Sequence, residues 1–331
     1  MGKFYSKDVI AYQFYSQKII RTILPSVMYK IKITLFFWVI FHQLFSQQDS
    51  LWKHFNSTEK RLKSLCFYAF KSRNEKQRMD SNKVFFQLFK SVLEIPQSFY
   101  YPFDSLKNDV SILINKDKTF RIITWNLPKN DGTHLYYGFI QNWYKPSKED
   151  KKEFQFYVLN DVSETLKNSP ETYVGSPQKW FGMLYYQLIE SKDYWILLGW
   201  DGNEKLIQRK FIDVLYFKKD GTPVFGKDVF KVPRKNPKRI MFQYSTDVVM
   251  TLRYEERKNA IVFSHLSPES DDPYMKEQYQ FYGPDGSFDA FVKEKDKWKL
   301  VEDIDIRNPE DNYNPHKKPD PKKQKPLYQP K

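Results

Sequence analysis

The chain has 331 residues and a single cysteine, Cys66. One thiol cannot close an internal disulfide, so the fold does not rely on oxidation. Catalytic signatures are missing as well. From residue 48 onward there is no Gly-x-Ser-x-Gly, His-Glu-x-x-His, phosphate-binding loop or dinucleotide fingerprint. Histidine is scarce: His134 and His265 are the only two between residues 97 and 306. No second histidine, cysteine or close carboxylate pair flanks either at metal-ligand spacing, so no metal and no cofactor is expected. Nor is there an apolar run of the ~20 residues that a membrane span needs. The greasiest stretch, Ile33 to Phe45, is interrupted by His42 and Gln43.

What is present is aromatic and basic. Aromatic residues make up 18% of the chain, which favours pleated strands and excludes a disordered polymer. The formal charge is +14. Residues 1–47 hold six basic and one acidic side chain, and residues 307–331 hold seven and three. The body between them is left with about +5, an ordinary solvated surface. Nucleic acid is therefore not an expected partner.

The amino terminus has the layout of a secretory signal peptide over residues 28–47. Met28 opens a start, Lys30 and Lys32 supply positive charge, Ile33–Phe41 is apolar, and Ser46-Gln47 ends it. Residues 1–27 then read as an upstream extension from a start placed too early. The alternative is a retained inner-membrane anchor over residues 31–46. Membrane contact is expected only through such an uncleaved segment, and the exported protein belongs in the periplasm or outer envelope.

Residues 48–96 read as a helical segment. Asn56 with Glu59 suggests a cap, and Leu62, Leu65, Cys66, Ala69 and Phe70 share one face. A polar break over Lys71–Lys83 precedes a second apolar face at Phe85, Leu88, Phe89 and Val92, which Pro96 stops. Residues 97–306 read as a β-rich body, in which the period becomes two from about residue 110. Val248, Met250, Leu252 and Tyr254 alternate with Val249, Thr251, Arg253 and Glu255, and about a dozen such runs follow one another. Asp-Gly pairs at 131–132, 201–202, 220–221 and 285–286 suggest tight turns between them. The fold class is mainly β: an antiparallel meander forming a curved sheet, a barrel or an irregular propeller-like body. Residues 142–179 look like a surface excursion. From Arg307 to Lys331 the composition predicts a disordered basic Pro/Lys tail.

Four stretches carry a resemblance: Phe120 to Asn126, Leu198 to Asn203, Gly221 to Gly226 and Gln280 to Asp285. Over residues 95–306 the chain resembles a family of uncharacterised exported bacterial proteins. The resemblance implies export and a single β-rich body. It implies no activity and transfers no functional residues.

The densest polar cluster behind an apolar strand is Trp200-Asp201-Gly202-Asn203-Glu204. Trp200, Asp201 and Asn203 could form a ligand loop, an aromatic platform beside two carboxylates and an amide, suited to a sugar or a calcium ion, although a full calcium loop has a longer acidic alternation. The competing reading is a hairpin turn over a packed tryptophan. Trp195 and Trp200 are an odd number apart, so a regular strand sends them to opposite faces. His134 and His265 read as structural histidines, the latter sharing a face with Ile261 and Phe263. Asp285 and Asp289 read as turn and solvent-face carboxylates rather than a glycosidase pair. Together these features point to a non-enzymatic exported envelope protein that binds a partner protein or a ligand such as a glycan. The alternative is an exported hydrolase acting on a glycan.

Overall fold

The computed structural model describes residues 48–145, 149–166, 170–202, 204–233 and 235–306. The expected upstream extension, signal peptide and basic tail lie outside the described residues, and so does Asn203. No described helix is long and apolar enough to cross a membrane. The chain divides into two compact units.

The first unit comprises residues 48–68 and 81–106. It draws on two helices, α1 (48–71) and α2 (Glu75–Leu93). The expected faces are in place, with Leu62, Cys66, Phe85, Phe89 and Val92 buried. Asn56 is not a cap, because α1 is already under way at residue 48. Glu59 instead turns inward and accepts from the Tyr101 hydroxyl at 2.6 Å and from the Ser105 N–H and O–H at 2.7 Å each. Burial, then that carboxylate, push the Tyr101 phenol up to about 12. The polar break is shorter than expected. Asn74 accepts from the Gln77 N–H at 3.1 Å, which caps α2 and restarts the helix at once. Pro96 opens a short 3-10 turn, Pro96–Tyr100, just past the end of α2.

The second unit comprises residues 69–80 and 107–306. It contains three sheets. The first runs β1 (Ser111–Ile114), β2 (Phe120–Pro128), β3 (His134–Tyr144), β4 (Glu153–Leu159) in order. The second has the order β10 (Ile240–Ser245), β7 (Ile207–Phe217), β6 (Trp195–Asp201), β5 (Leu184–Glu190), with β8 (Pro223–Phe225) also on β7. The third has the order β11 (Leu252–Glu255), β12 (Ala260–Pro268), β13 (Tyr282–Glu294), β14 (Lys297–Val301), β9 (Phe230–Lys231). Every pairing is antiparallel except β9 on β14. None of these strand orders closes on itself, so the body is a set of meanders and not a closed barrel.

The second sheet is covered on both faces. Ile196, Leu198, Ile212 and Val214 pack with Ile261, Phe263 and Phe291 of the third sheet. Leu197, Phe211 and Leu215 pack with Phe120, Ile122, Tyr136 and Ile140 of the first. That is why β6 reads Trp-Ile-Leu-Leu without alternation: a strand buried on both faces needs apolar residues at every position.

Two hairpins share a local sequence, Lys129-Asn-Asp-Gly-Thr133 and Lys218-Lys-Asp-Gly-Thr222. In both, the lysine N–H reaches the threonine carbonyl (2.8 and 2.9 Å) and the aspartate accepts from the threonine N–H. Gly132 and Gly221 take the positive φ the turn needs, +87° and +81°. The other two Asp-Gly pairs are not tight turns. Asp201 is still inside β6, and Asp285-Gly286 sits in an irregularity of β13, where the register with β12 slips. The run at 248–254 pairs only from Leu252, yet Met250 and Leu252 are buried in the core with Val248 and Tyr254 packed beside them. The alternating stretch 278–282 is mostly a 3-10 turn, Tyr279–Phe281, and β1, β8 and β9, of four residues or fewer, are too short to show a clear period.

Candidate functional site

The β2–β3 hairpin of the first sheet and the β6–β7 connection of the second meet end to end. A Cβ on Gly132 would lie 3.1 Å from the Lys205 Cα, which measures how closely they approach. Beside this junction, the 3-10 turn Ser163–Leu166 closes a small open cleft of about 350 Å³, solvent space included. It is lined by Thr133, His134, Tyr136, Ser163, Glu164, Asp201 and Arg209.

At its base lies a buried hydrogen-bond chain. The Tyr136 hydroxyl donates to Asp201 Oδ1 at 2.8 Å and accepts from the Gly202 N–H at 2.8 Å. Both residues are about 5% exposed or less. Burial, then the Asp201 carboxylate, raise the Tyr136 phenol well above its usual value, so it remains a donor. Arg209 lies 3.8 Å from Asp201 Oδ2, and its Nε donates to Gln243 at 3.1 Å. Burial draws its pKa down, against the pull of Asp201 and Glu204. The pair is thus a desolvated cation and anion at the mouth of a strand end, and neither is screened as an exposed pair would be.

His134 forms the wall. The Asn126 amide nitrogen lies 2.8 Å from its Nδ1, so a neutral ring accepts there and carries its proton on Nε2. Burial lowers the His134 pKa, which favours that neutral form. Trp200 meets the ring edge-on with centroids 5.2 Å apart. Gly202 is required here: an added Cβ would sit 2.3 Å from the His134 Cδ2. Beneath the turn, Asp161 accepts from the N–H groups of Ser163 (2.8 Å), Gly182 (3.1 Å) and Tyr136 (3.3 Å), which fixes the third wall.

The structure divides the expected Trp200–Asp201–Asn203 loop. Asp201 is in the cleft. Trp200 is its neighbour on a pleated strand and turns the other way, donating to Gln208 at 3.0 Å. It reaches the cleft only through its edge contact with His134. Asn203 lies outside the described residues. Trp195 packs on the opposite side of β6, against Phe120, as the odd spacing required. Sequence reasoning gave His134 only a structural role and missed Tyr136 and Arg209. Tyr136 sits in an ordinary aromatic strand, and Arg209 in a polar strand opening, so neither carries a local signal.

Two other polar clusters do not form clefts. His265 is the residue skipped where β12 slips register, so it leaves the apolar face expected for it and is 46% exposed. Its Nδ1 bonds Asp289 at 2.8 Å, and Asp289 also accepts from the Asp303 N–H at 3.0 Å. The Asp289 hydrogen bond raises the His265 pKa against a smaller opposing effect of burial. Asp285 spends its carboxylate on Ser287, so Asp285 and Asp289 have separate structural partners. Deep in the second sheet, Asp213 accepts from Tyr185 (2.7 Å) and from Arg239 Nε (3.0 Å), with all three side chains fully buried. That network has no opening. No group of three metal-capable side chains occurs among the described residues.

No family model, no curated protein and no solved structure matches this chain.

Proposed function

We propose that the chain is a non-enzymatic exported envelope protein whose β unit binds a polar ligand at the cleft of His134, Tyr136, Asp201 and Arg209. One observation carries this reading. Side chains from β3, β6 and β7 converge on one small cleft, and their hydrogen bonds hold them rigid before any ligand arrives. Preorganised polar groups of this kind favour binding, because little order is lost on association. The same bonds disfavour catalysis. The Nδ1 of His134 is occupied by Asn126, and Asp201 is held by Tyr136 and Arg209. A glycan, or a partner surface presenting hydroxyls, suits donors and acceptors so closely interleaved. Export rests on the amino-terminal layout and the resemblance to exported proteins.

The test is isothermal calorimetry of the protein with a panel of envelope glycans. Binding in the native chain that falls at least tenfold in Arg209→Gln supports the reading. Equal binding by both would move the ligand elsewhere.

The hydrolase reading has one observation in its favour: Asp201 and Glu164 both line the cleft. Glycoside turnover that disappears in Glu164→Gln while binding persists would replace the binding reading with that one.

A further inference from the structure

We propose that the edge of the third sheet is a docking face for an anionic lipid surface. The face is built from residues 226–239 and 293–299. The described residues of these segments contain eight lysines against three carboxylates, leaving aside Arg239, which is buried on Asp213. The whole body between residues 48 and 306 carries only about +5. Its excess charge is therefore gathered here, and the remainder is close to neutral.

The two segments are one surface. β9 pairs with β14, the Trp298 N–H reaches the Val229 carbonyl at 2.7 Å, and Lys297 bonds Asp228. Phe230 and Trp298 are buried beneath, so the lysines stand on an ordered base. Lys231 and Lys299 are direct cross-strand partners. Like charges in that position are unfavourable. Among the described residues Glu294 relieves them, reaching both at 3.4 Å. Lysine on an edge strand also blocks edge-to-edge pairing. That accounts for Lys231 but not for Lys235, in the loop beyond β9, or Lys295, in the β13–β14 turn.

The chemistry favours lipid headgroups over a polysaccharide. Apart from the buried Arg239, and with Arg234 outside the described residues, the cations are lysines, compact and on flexible stems, rather than the planar forks that grip a fixed phosphate. The neighbouring rings, Tyr194 and Tyr216, lie under Lys227 at 5.3 and 5.1 Å and offer no open plane to a sugar. A headgroup layer moves laterally and can match separate charges without a groove. This goes beyond membrane contact through the amino-terminal segment alone.

The test is co-sedimentation of the full chain with phosphatidylcholine vesicles, with and without one part in three of phosphatidylglycerol. The readout is the ratio of the two partition coefficients. The terminal segments are identical in every variant, so they cancel. Replacing Lys231, Lys235, Lys295 and Lys299 together with glutamine should reduce that ratio by several hundredfold, at about fivefold per lysine. Replacing Lys53, Lys60, Lys151 and Lys152 instead removes the same charge elsewhere and should leave most of it. Equal loss in both variants, or no loss in the first, overturns the proposal. Binding to soluble dextran sulfate but not to the vesicles would also overturn it, in favour of an anionic polysaccharide. Both variants change exposed side chains, and matching circular dichroism confirms that each is folded.

Discussion

Removing one oxygen should undo the base of the cleft. Tyr136→Phe keeps the ring and its packing but deletes the hydroxyl. Two groups then lose that hydroxyl in a buried place: Asp201 Oδ1 and the Gly202 N–H, both 2.8 Å away. A hydrogen bond to a charged group is worth about 1.5–3 kcal/mol, and an orphaned buried donor costs about 1–3 kcal/mol. Allowing for some relaxation, the loss should be about 3 kcal/mol. For a unit of this size that lowers Tm by about 6–12 °C. Asp201→Asn should cost less, about 1–2 kcal/mol, because the amide oxygen still accepts from Tyr136. The two sites share one bond, so the double variant should lose less than the sum of the single losses. Urea unfolding of the four proteins, followed by tryptophan fluorescence, gives the cycle. A Tyr136→Phe loss under about 1 kcal/mol, or strict additivity, would refute the claim that this chain of bonds holds the cleft.

The remaining predictions address other parts of the unit. Gly202→Ala should cost about 1–3 kcal/mol and move the His134 resonances, since the new methyl has no room beside that ring. Arg239→Met should be among the most damaging changes, about 3–5 kcal/mol, because it strands the Asp213 carboxylate where both groups are fully buried. An imidazole NMR titration should place His134 below the usual value of 6.5 and His265 above it, with His134→Gln and His265→Gln giving the assignments. The two act oppositely on stability. Below its ordinary value His134 takes up a proton more readily when unfolded, so its share is complete above 6.5 and is lost as pH falls through the folded value. His265 holds its proton more tightly when folded, so its share is present below 6.5 and fades as pH rises through the raised value.

Much of the fold is legible because the period of two survives wherever one sheet face is dry. The face of Val248, Met250, Leu252 and Tyr254 points into the core even where the ladder has not begun. The Lys-x-Asp-Gly-Thr turns are equally readable, since the glycine answers a local backbone demand. Where the account changes, tertiary contact decides. Asp201 reads as a turn residue because Asp-Gly resembles one. It is a strand end because Tyr136, 65 residues away, supplies the hydrogen bond that allows the carboxylate to be buried. His265 is read from alternation, which fails where a bulge interrupts the pairing of β12 with β13. The parallel addition of β9 to β14 cannot be seen at all, because two residues carry no period. The cleft is invisible for the same reason: its groups come from hairpins that meet only in the folded unit.

The most direct test of the cleft as a ligand seat is a thermal-shift screen of the native chain and Asp201→Asn with calcium, zinc and a panel of envelope and dietary glycans. A ligand that binds only the folded state raises Tm, by an amount equivalent to about 2.7 kcal/mol at a hundredfold excess over Kd. The account predicts a glycan that raises Tm in the native chain and has little effect on Asp201→Asn. A shift of equal size in both proteins, or a response to metal alone, would contradict it.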